Sequence, residues 1–138
     1  MRKEFQVSSD LSKVQAASSD VLDFLKPLHL DKTVVFDIRL CLEEALINAM
    51  KYGNGLDKAK TVDLAVEVDD ETIGITVQDQ GPGFKPEKLK DCTHGENVYR
   101  ESGRGVHLMH QLMDKIEYNE KGNRVLMVKH FRTKKSER

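Results

Sequence analysis

Cysteine is scarce in this sequence, and its two copies, Cys41 and Cys92, stand far apart with no Cys-x-x-Cys or Cys/His ligand spacing. That excludes a disulfide scaffold and predicts free, neutral thiols in a reducing compartment. Long apolar runs are missing too. No window approaches the roughly 18 residues a membrane helix needs, and the basic start MRKEFQVSSD has no apolar segment behind it. The expected location is the cytoplasm, with no membrane contact. Neither sign of charge is in excess: 22 Lys and Arg face 23 Asp and Glu, a formal net charge of -1. Nothing global therefore favours direct binding of nucleic acid. Repeats and low-complexity tracts are absent, and the one shift in composition is the cationic end KHFRTKKSER, whose residues 132–138 are expected to form a flexible, solvated tail.

What is present is the balance of a globular protein, 38% hydrophobic and 33% charged over 138 residues, enough for one core and one domain spanning 1–138. KEFQVS alternates as a short strand and ends in the helix-capping run Ser8-Ser9-Asp10. Leu11, Val14, Ala17, Val21, Leu22 and Leu25 then recur at helical spacing until Pro27. Asp31 is positioned to cap a second helix with a wide apolar stripe, Val34, Val35, Ile38, Cys41, Leu42, Ala45, Leu46, Ala49 and Met50, stopped by Gly53-Asn54-Gly55. The period next changes to two. Val62, Leu64, Val66 and Val68, a turn at Asp69-Asp70, and Ile73, Ile75 and Val77 predict a hairpin with one buried face. A Gly/Pro loop and a long polar segment follow, of a length that reads as a lid, about 84–102. Val106, Met109, Leu112 and Met113 resume a helix, and KIEYN and RVLMVKHF form a last hairpin around Lys121-Gly122-Asn123. The order predicts an α/β, two-layer fold: a mixed, mainly antiparallel sheet with helices on one face.

Three polar islands interrupt this pattern. Glu44 and Asn48 lie four apart in EEALINAMKYGNG, so they project from one helix face at the edge of the apolar stripe. A surface hydrogen-bonded pair is one explanation. The other is an amide oxygen that holds Mg²⁺ beside a carboxylate that orients or deprotonates a nucleophile, because a buried carboxylate needs compensation. The second island, Asp79-Gln80-Gly81-Pro82-Gly83, ends an apolar strand. It is either a tight turn or an acceptor for an exocyclic amine such as that of adenine, approached closely by glycine backbone. The third, Ser102-Gly103-Arg104-Gly105, opens the helix that carries Val106. It is either a hinge or a phosphate site built from helix N-terminal N–H groups and the Arg104 guanidinium. No Gly-Lys-Ser/Thr follows, so this is not a Walker loop.

In this order and at these intervals the islands resemble the nucleotide-binding boxes of the GHKL (Bergerat-fold) ATPase and kinase superfamily. More narrowly, the chain is similar to the small anti-sigma-factor serine/threonine kinases of bacterial partner-switching systems. EALINAMKYG looks like the N box, DQGPGF like the first glycine box, and SGRGVHLMHQLMDKIEYN like the second glycine box with the helix and strand behind it. The resemblance implies a histidine-kinase-like ATPase fold with ATP or ADP between helices and lid. It further implies that Asn48 coordinates Mg²⁺ and that Glu44 is the general base. Asp79 would accept from the adenine amino group, Gly81 and Gly83 would shape its pocket, and Gly103, Arg104, Gly105 and Val106 would lie along the phosphates. Tyr52, also assigned to the nucleotide, stands where many relatives have His. Gly122-Asn123-Arg124 stand where relatives often show Thr near the adenine. His107 and His110 have no evident third ligand and read as surface residues.

The function this implies is an ATP-dependent serine/threonine kinase that is also an anti-sigma factor. It would act as a homodimer, sequester a sigma factor and phosphorylate a STAS-type antagonist. Two alternatives keep the fold: a nucleotide-regulated binding module without transfer, and a switch kinase without a sigma-factor target. A histidine kinase would need a phosphoacceptor helix with an exposed His, whereas His29 follows Pro27-Leu28 in a turn.

Overall fold

The computed structural model describes residues 1–82 and 108–131. Strand β1 (Arg2–Ser8) opens the chain, and a short 3-10 turn (Leu11–Lys13) leads into helix α1 (Val14–Leu25). The Asp10 carboxylate starts that turn by accepting from the Ser12 backbone N–H at 3.0 Å and its hydroxyl at 2.8 Å. A second 3-10 turn contains Pro27, and His29 closes it with a left-handed φ of 51°. Helix α2 runs Lys32–Asn48 and passes into a π-helical turn, Ala49–Gly53. Strands β2 (Thr61–Val68) and β3 (Thr72–Gln78) form the central hairpin. Residues 108–112 are helical, followed by β4 (Lys115–Tyr118) and β5 (Arg124–His130).

Asp31 departs from expectation. It occupies the N-cap position of α2 without a side-chain cap bond, and only its backbone carbonyl engages the helix, accepting from Val35 N at 3.0 Å.

The five strands lie in the order β1-β2-β3-β5-β4, and all four pairings among the described residues are antiparallel. Side chains alternate across such a sheet. Val62, Leu64 and Val66, then Ile73, Ile75 and Val77, then Val125 and Met127 are buried on one face. Asp63, Ala65 and Glu67 of β2 point the other way. Helices α1 and α2 pack on each other and on the apolar face, with Val14, Ala17, Val21 and Leu25 meeting Ile38, Cys41, Leu42, Ala45 and Leu46 in one core. Cys41 is fully buried and free, and burial pushes its thiol up to about 12, so it stays neutral as expected. Cys92, the lid at 84–102 and the tail at 132–138 lie outside the described residues.

One ion pair belongs to this core. Lys129 follows Val125 and Met127 on the inward face of β5, and its ammonium donates to Asp37 Oδ2 at 2.9 Å and to the Leu112 carbonyl at 2.6 Å. The two side chains are only 14% and 11% exposed. Lys129 thereby ties α2, β5 and the end of the 108–112 helix together. Lys129→Met leaves the Asp37 carboxylate buried without its cation and is expected to cost about 3 kcal/mol, the lower end for broken buried pairs, because neither group is fully enclosed. Urea denaturation measures this, and pairing Lys129→Met with Asp37→Leu should recover most of the loss.

Candidate functional site

The site grows from the C-terminal end of α2. An ordinary helix would carry on through Met50, but the chain widens to a π turn in which Asn54 N bonds to the Ala49 carbonyl at 2.8 Å. Turns of this kind re-aim a helix end and recur at functional positions. Here the turn delivers Gly53 against the residues that follow β3. A Cβ on Gly53 would fall on the Asp79 carboxylate, with Oδ1 at 2.6 Å. A Cβ on Gly81 would fall on the backbone of Gly53, with the carbonyl carbon at 2.6 Å and the oxygen closer still. Gly53, Asp79 and Gly81 are thus one interlocked contact, permitted only because two of the three lack a side chain. Gly53 had read simply as a helix stop; its close approach to Asp79 depends on tertiary placement.

Asp79 is half-buried directly beyond β3, and its Oδ1 accepts from the Gly81 N–H at 2.8 Å. Burial raises its pKa; the Gly81 N–H pulls the other way, as do the more distant charges of Lys121 and Lys60. No other hydrogen bond to this carboxylate is made among the described residues, leaving acceptor capacity on Oδ2.

Glu44 and Asn48 are both partly buried on α2, and Asn48 is its last residue, leading directly into the turn that ends at Gly53. The Asn48 Nδ2 is buried and has no hydrogen-bond partner among the described residues. A buried donor in that state costs free energy, so it marks a place where a further polar group belongs.

The same architecture is found elsewhere. A family model described as the histidine kinase-like ATPase domain matches residues 7–129. The chain belongs to this family. Similarity extends to an anti-sigma F factor of Clostridium perfringens, 30% identical over 138 residues and covering 96% of this chain and 97% of that protein. A serine-protein kinase RsbW of Bacillus subtilis is 28% identical over 102 residues, covering 69% of this chain and 64% of the relative. Among solved structures, the RsbU and RsbW domains of a Mycobacterium tuberculosis protein superpose with a TM-score of 0.66 at 13% identity; the match covers 96% of this chain and 32% of that one, and it bears on the fold.

Within this histidine kinase-like domain the remaining expected residues divide in two. Tyr52 lies on the π turn but is 53% exposed, with the Lys51 ammonium 5.5 Å from its ring centroid. Gly83, Gly103, Arg104, Gly105, Val106 and His107 lie outside the described residues. His110 is exposed, and no group of three or more potential metal-ligating side chains occurs among the described residues. No described helix is long and apolar enough to cross a membrane.

Two further asparagines belong to the site: Asn54 had read as part of a helix stop, and Asn123 as part of a turn that stands where relatives often show Thr near the adenine. Asn54 is 3% exposed; its Nδ2 donates to Ser9 Oγ at 2.7 Å and the Thr61 carbonyl at 3.0 Å, and its Oδ1 accepts from Gln80 N at 2.7 Å. Asn123 is also buried and bonds to Asp79. Asparagine beside glycine is a common turn signal, and burial of its amide depends on contacts distant in sequence.

The raised pKa of Asp79 gives a stability prediction. The folded state holds the proton more tightly than the unfolded chain, so the carboxylate's contribution becomes unfavourable as pH rises from the ordinary value of 3.8 through the folded pKa, and stays so above it. Asp79→Asn keeps an acceptor for the Gly81 N–H and removes the charge. The ligand-free variant should therefore melt slightly higher than wild type at pH 7, a gain that disappears below pH 3.8, as thermal melts across pH will show.

Proposed function

We propose that the chain is an ATP-dependent protein serine/threonine kinase that also acts as an anti-sigma factor. The observation that carries the reading is the buried Asn48 Nδ2, without a hydrogen-bond partner among the described residues, at the end of the helix that leads into the Gly53–Asp79–Gly81 cradle. The residues present fit Mg-ATP. The Asn48 Oδ1 is of the hard-oxygen type that Mg²⁺ takes, and its Nδ2 suits a phosphate oxygen. The half-buried Asp79 carboxylate suits the adenine amino group, and glycine at 53 and 81 lets the backbone close on the ring. Bound Mg²⁺ supplies charge neutralisation at the phosphates.

Glu44 is assigned the general base. As the acceptor hydroxyl oxygen attacks the γ-phosphorus, its proton passes to a Glu44 carboxylate oxygen and the bond to ADP breaks. Phosphoryl transfer asks the protein mainly for positioning and charge, which a helix-borne carboxylate and amide one turn apart provide. Gly83, Gly103, Arg104, Gly105 and Val106 enter the reading through the family resemblance, as does the lid at 84–102.

The names of the relatives, an anti-sigma F factor and a serine-protein kinase, support a sigma factor as partner and serine as acceptor; a STAS-type antagonist that receives the phosphoryl group on serine or threonine enters through the family resemblance. The protein is read as one cytoplasmic domain acting as a homodimer. Affinity capture from the native cell with mass spectrometry, in ATP and then in ADP, tests the partners. A sigma factor retained with one nucleotide and an antagonist with the other is expected; signalling proteins alone, with no transcription subunit, would point to a switch kinase without a sigma target.

A further inference from the structure

We infer that Asn123 and Asn54 are positioning residues that fix the Asp79 carboxylate for recognition of the base, by gripping the two ends of the Asp79–Gln80 peptide unit. This rests on the nucleotide reading of the site. The β3–β5 ladder ends at the pair Gln78↔Arg124. One residue further on, Asp79 N donates to the Asn123 carbonyl at 2.9 Å, as in a continuing strand. The reciprocal bond expected of an antiparallel pair, from Asn123 N to the Asp79 carbonyl, is not made by the backbone. Asn123 N is diverted to Asn119 Oδ1 at 3.1 Å. In its place the Asn123 side chain supplies the donor, Nδ2 to the Asp79 carbonyl at 3.2 Å.

The orientation of that side chain is itself determined. Asn119 Nδ2 donates to Asn123 Oδ1 at 2.7 Å, so the Asn123 amide must turn its NH₂ towards Asp79. Asn119 is anchored in turn because its Oδ1 also accepts from Gly122 N at 2.8 Å and Arg124 N at 3.2 Å. At the other end of the same peptide unit, Gln80 N donates to Asn54 Oδ1 at 2.7 Å. A peptide unit is planar, so holding its carbonyl and its N–H from opposite elements fixes the plane. That plane sets the direction of the Asp79 side chain and aims the Gly81 N–H at Oδ1. A carboxylate positioned this way discriminates an amine from a carbonyl at the same place on a purine, whereas a mobile one could turn aside from the wrong base.

The test compares Mg-ATP and Mg-GTP, in binding and in phosphotransfer, for wild type, Asn123→Asp and Asn119→Asp. Asn123→Asp is isosteric and still accepts from Asn119, but sets an oxygen against the Asp79 carbonyl. Asn119→Asp keeps the oxygen that accepts from the backbone N–H groups of Gly122, Asn123 and Arg124 and removes the donor that orients Asn123. Both are expected to lower the ATP-over-GTP preference, about tenfold for Asn123→Asp and less for Asn119→Asp. The change should lie in KM and Kd for ATP, with kcat at saturating ATP within about twofold of wild type. A purely structural role would lower the melting temperature and leave the preference intact. Wild-type preference in either folded variant overturns the inference; should Asn123→Asp not fold, Asn119→Asp decides alone. Wild-type protein that binds neither nucleotide, or both equally, overturns the underlying reading instead.

Discussion

Replacing Glu44 with glutamine is expected to lower phosphotransfer by about 10²-fold while leaving Mg-ATP affinity within about twofold of wild type. Glutamine matches glutamate in shape, so partly buried packing on α2 is kept and only the ability to take a proton is removed. Asn48→Ala is the informative partner. It deletes both edges of the amide, Oδ1 for the metal and the buried Nδ2, and so should weaken Mg-ATP binding itself. Calorimetric titration of nucleotide and single-turnover transfer, run on both variants, separate the roles. Equal loss of binding in the two would contradict the division between them, because residues one turn apart on one helix would then be acting as a single structural unit.

The second large effect is expected at Gly81. Alanine there would place its Cβ inside contact distance of the Gly53 carbonyl group. Both sides of the clash are backbone, so no rotamer change relieves it. The π turn and the segment after β3 must separate, and Asp79 then loses the Gly81 N–H. A loss of roughly 3 kcal/mol in stability is expected, at the upper end for overpacked sites, with ATP affinity down about 10²-fold. Gly53→Ala should be milder, since its Cβ meets the Asp79 side chain, which can rotate. Denaturant melts and titration of Gly81→Ala check this. Wild-type stability together with wild-type affinity would show that the Gly53–Gly81 contact is dispensable.

Much of this arrangement was legible in the sequence because it follows from period and turn chemistry. The alternation of Val62 to Val77 required a hairpin with one apolar face, and the stripe from Ile38 to Leu46 required a helix lying on it. Glu44 and Asn48 stood out because polar groups at the edge of such a stripe need a reason. What escaped the reading depends on partners far away in the chain. The switch from α to π winding at Ala49 accompanies the approach of Gly53 to Asp79, which no local propensity encodes. Lys129 lies within RVLMVKHF, which read simply as a hairpin strand, and Asp37, 92 residues earlier, together with the Leu112 carbonyl makes the inward cation tolerable. Asn54 and Asn123 sit in glycine turns where asparagine is expected for its backbone habits, and their buried amides are seen only once Gln80 and Asp79 are beside them.

Phosphotransfer itself is the most direct test of the proposed kinase. The purified protein is incubated with γ-labelled ATP, Mg²⁺ and the antagonist recovered by affinity capture, alongside the Glu44→Gln variant. Label on a serine or threonine of the antagonist, formed by wild type and reduced about 10²-fold by the variant, is the predicted result. Wild-type protein that binds ATP yet labels no hydroxyl residue at any antagonist concentration would contradict it and leave a nucleotide-regulated binding module in its place.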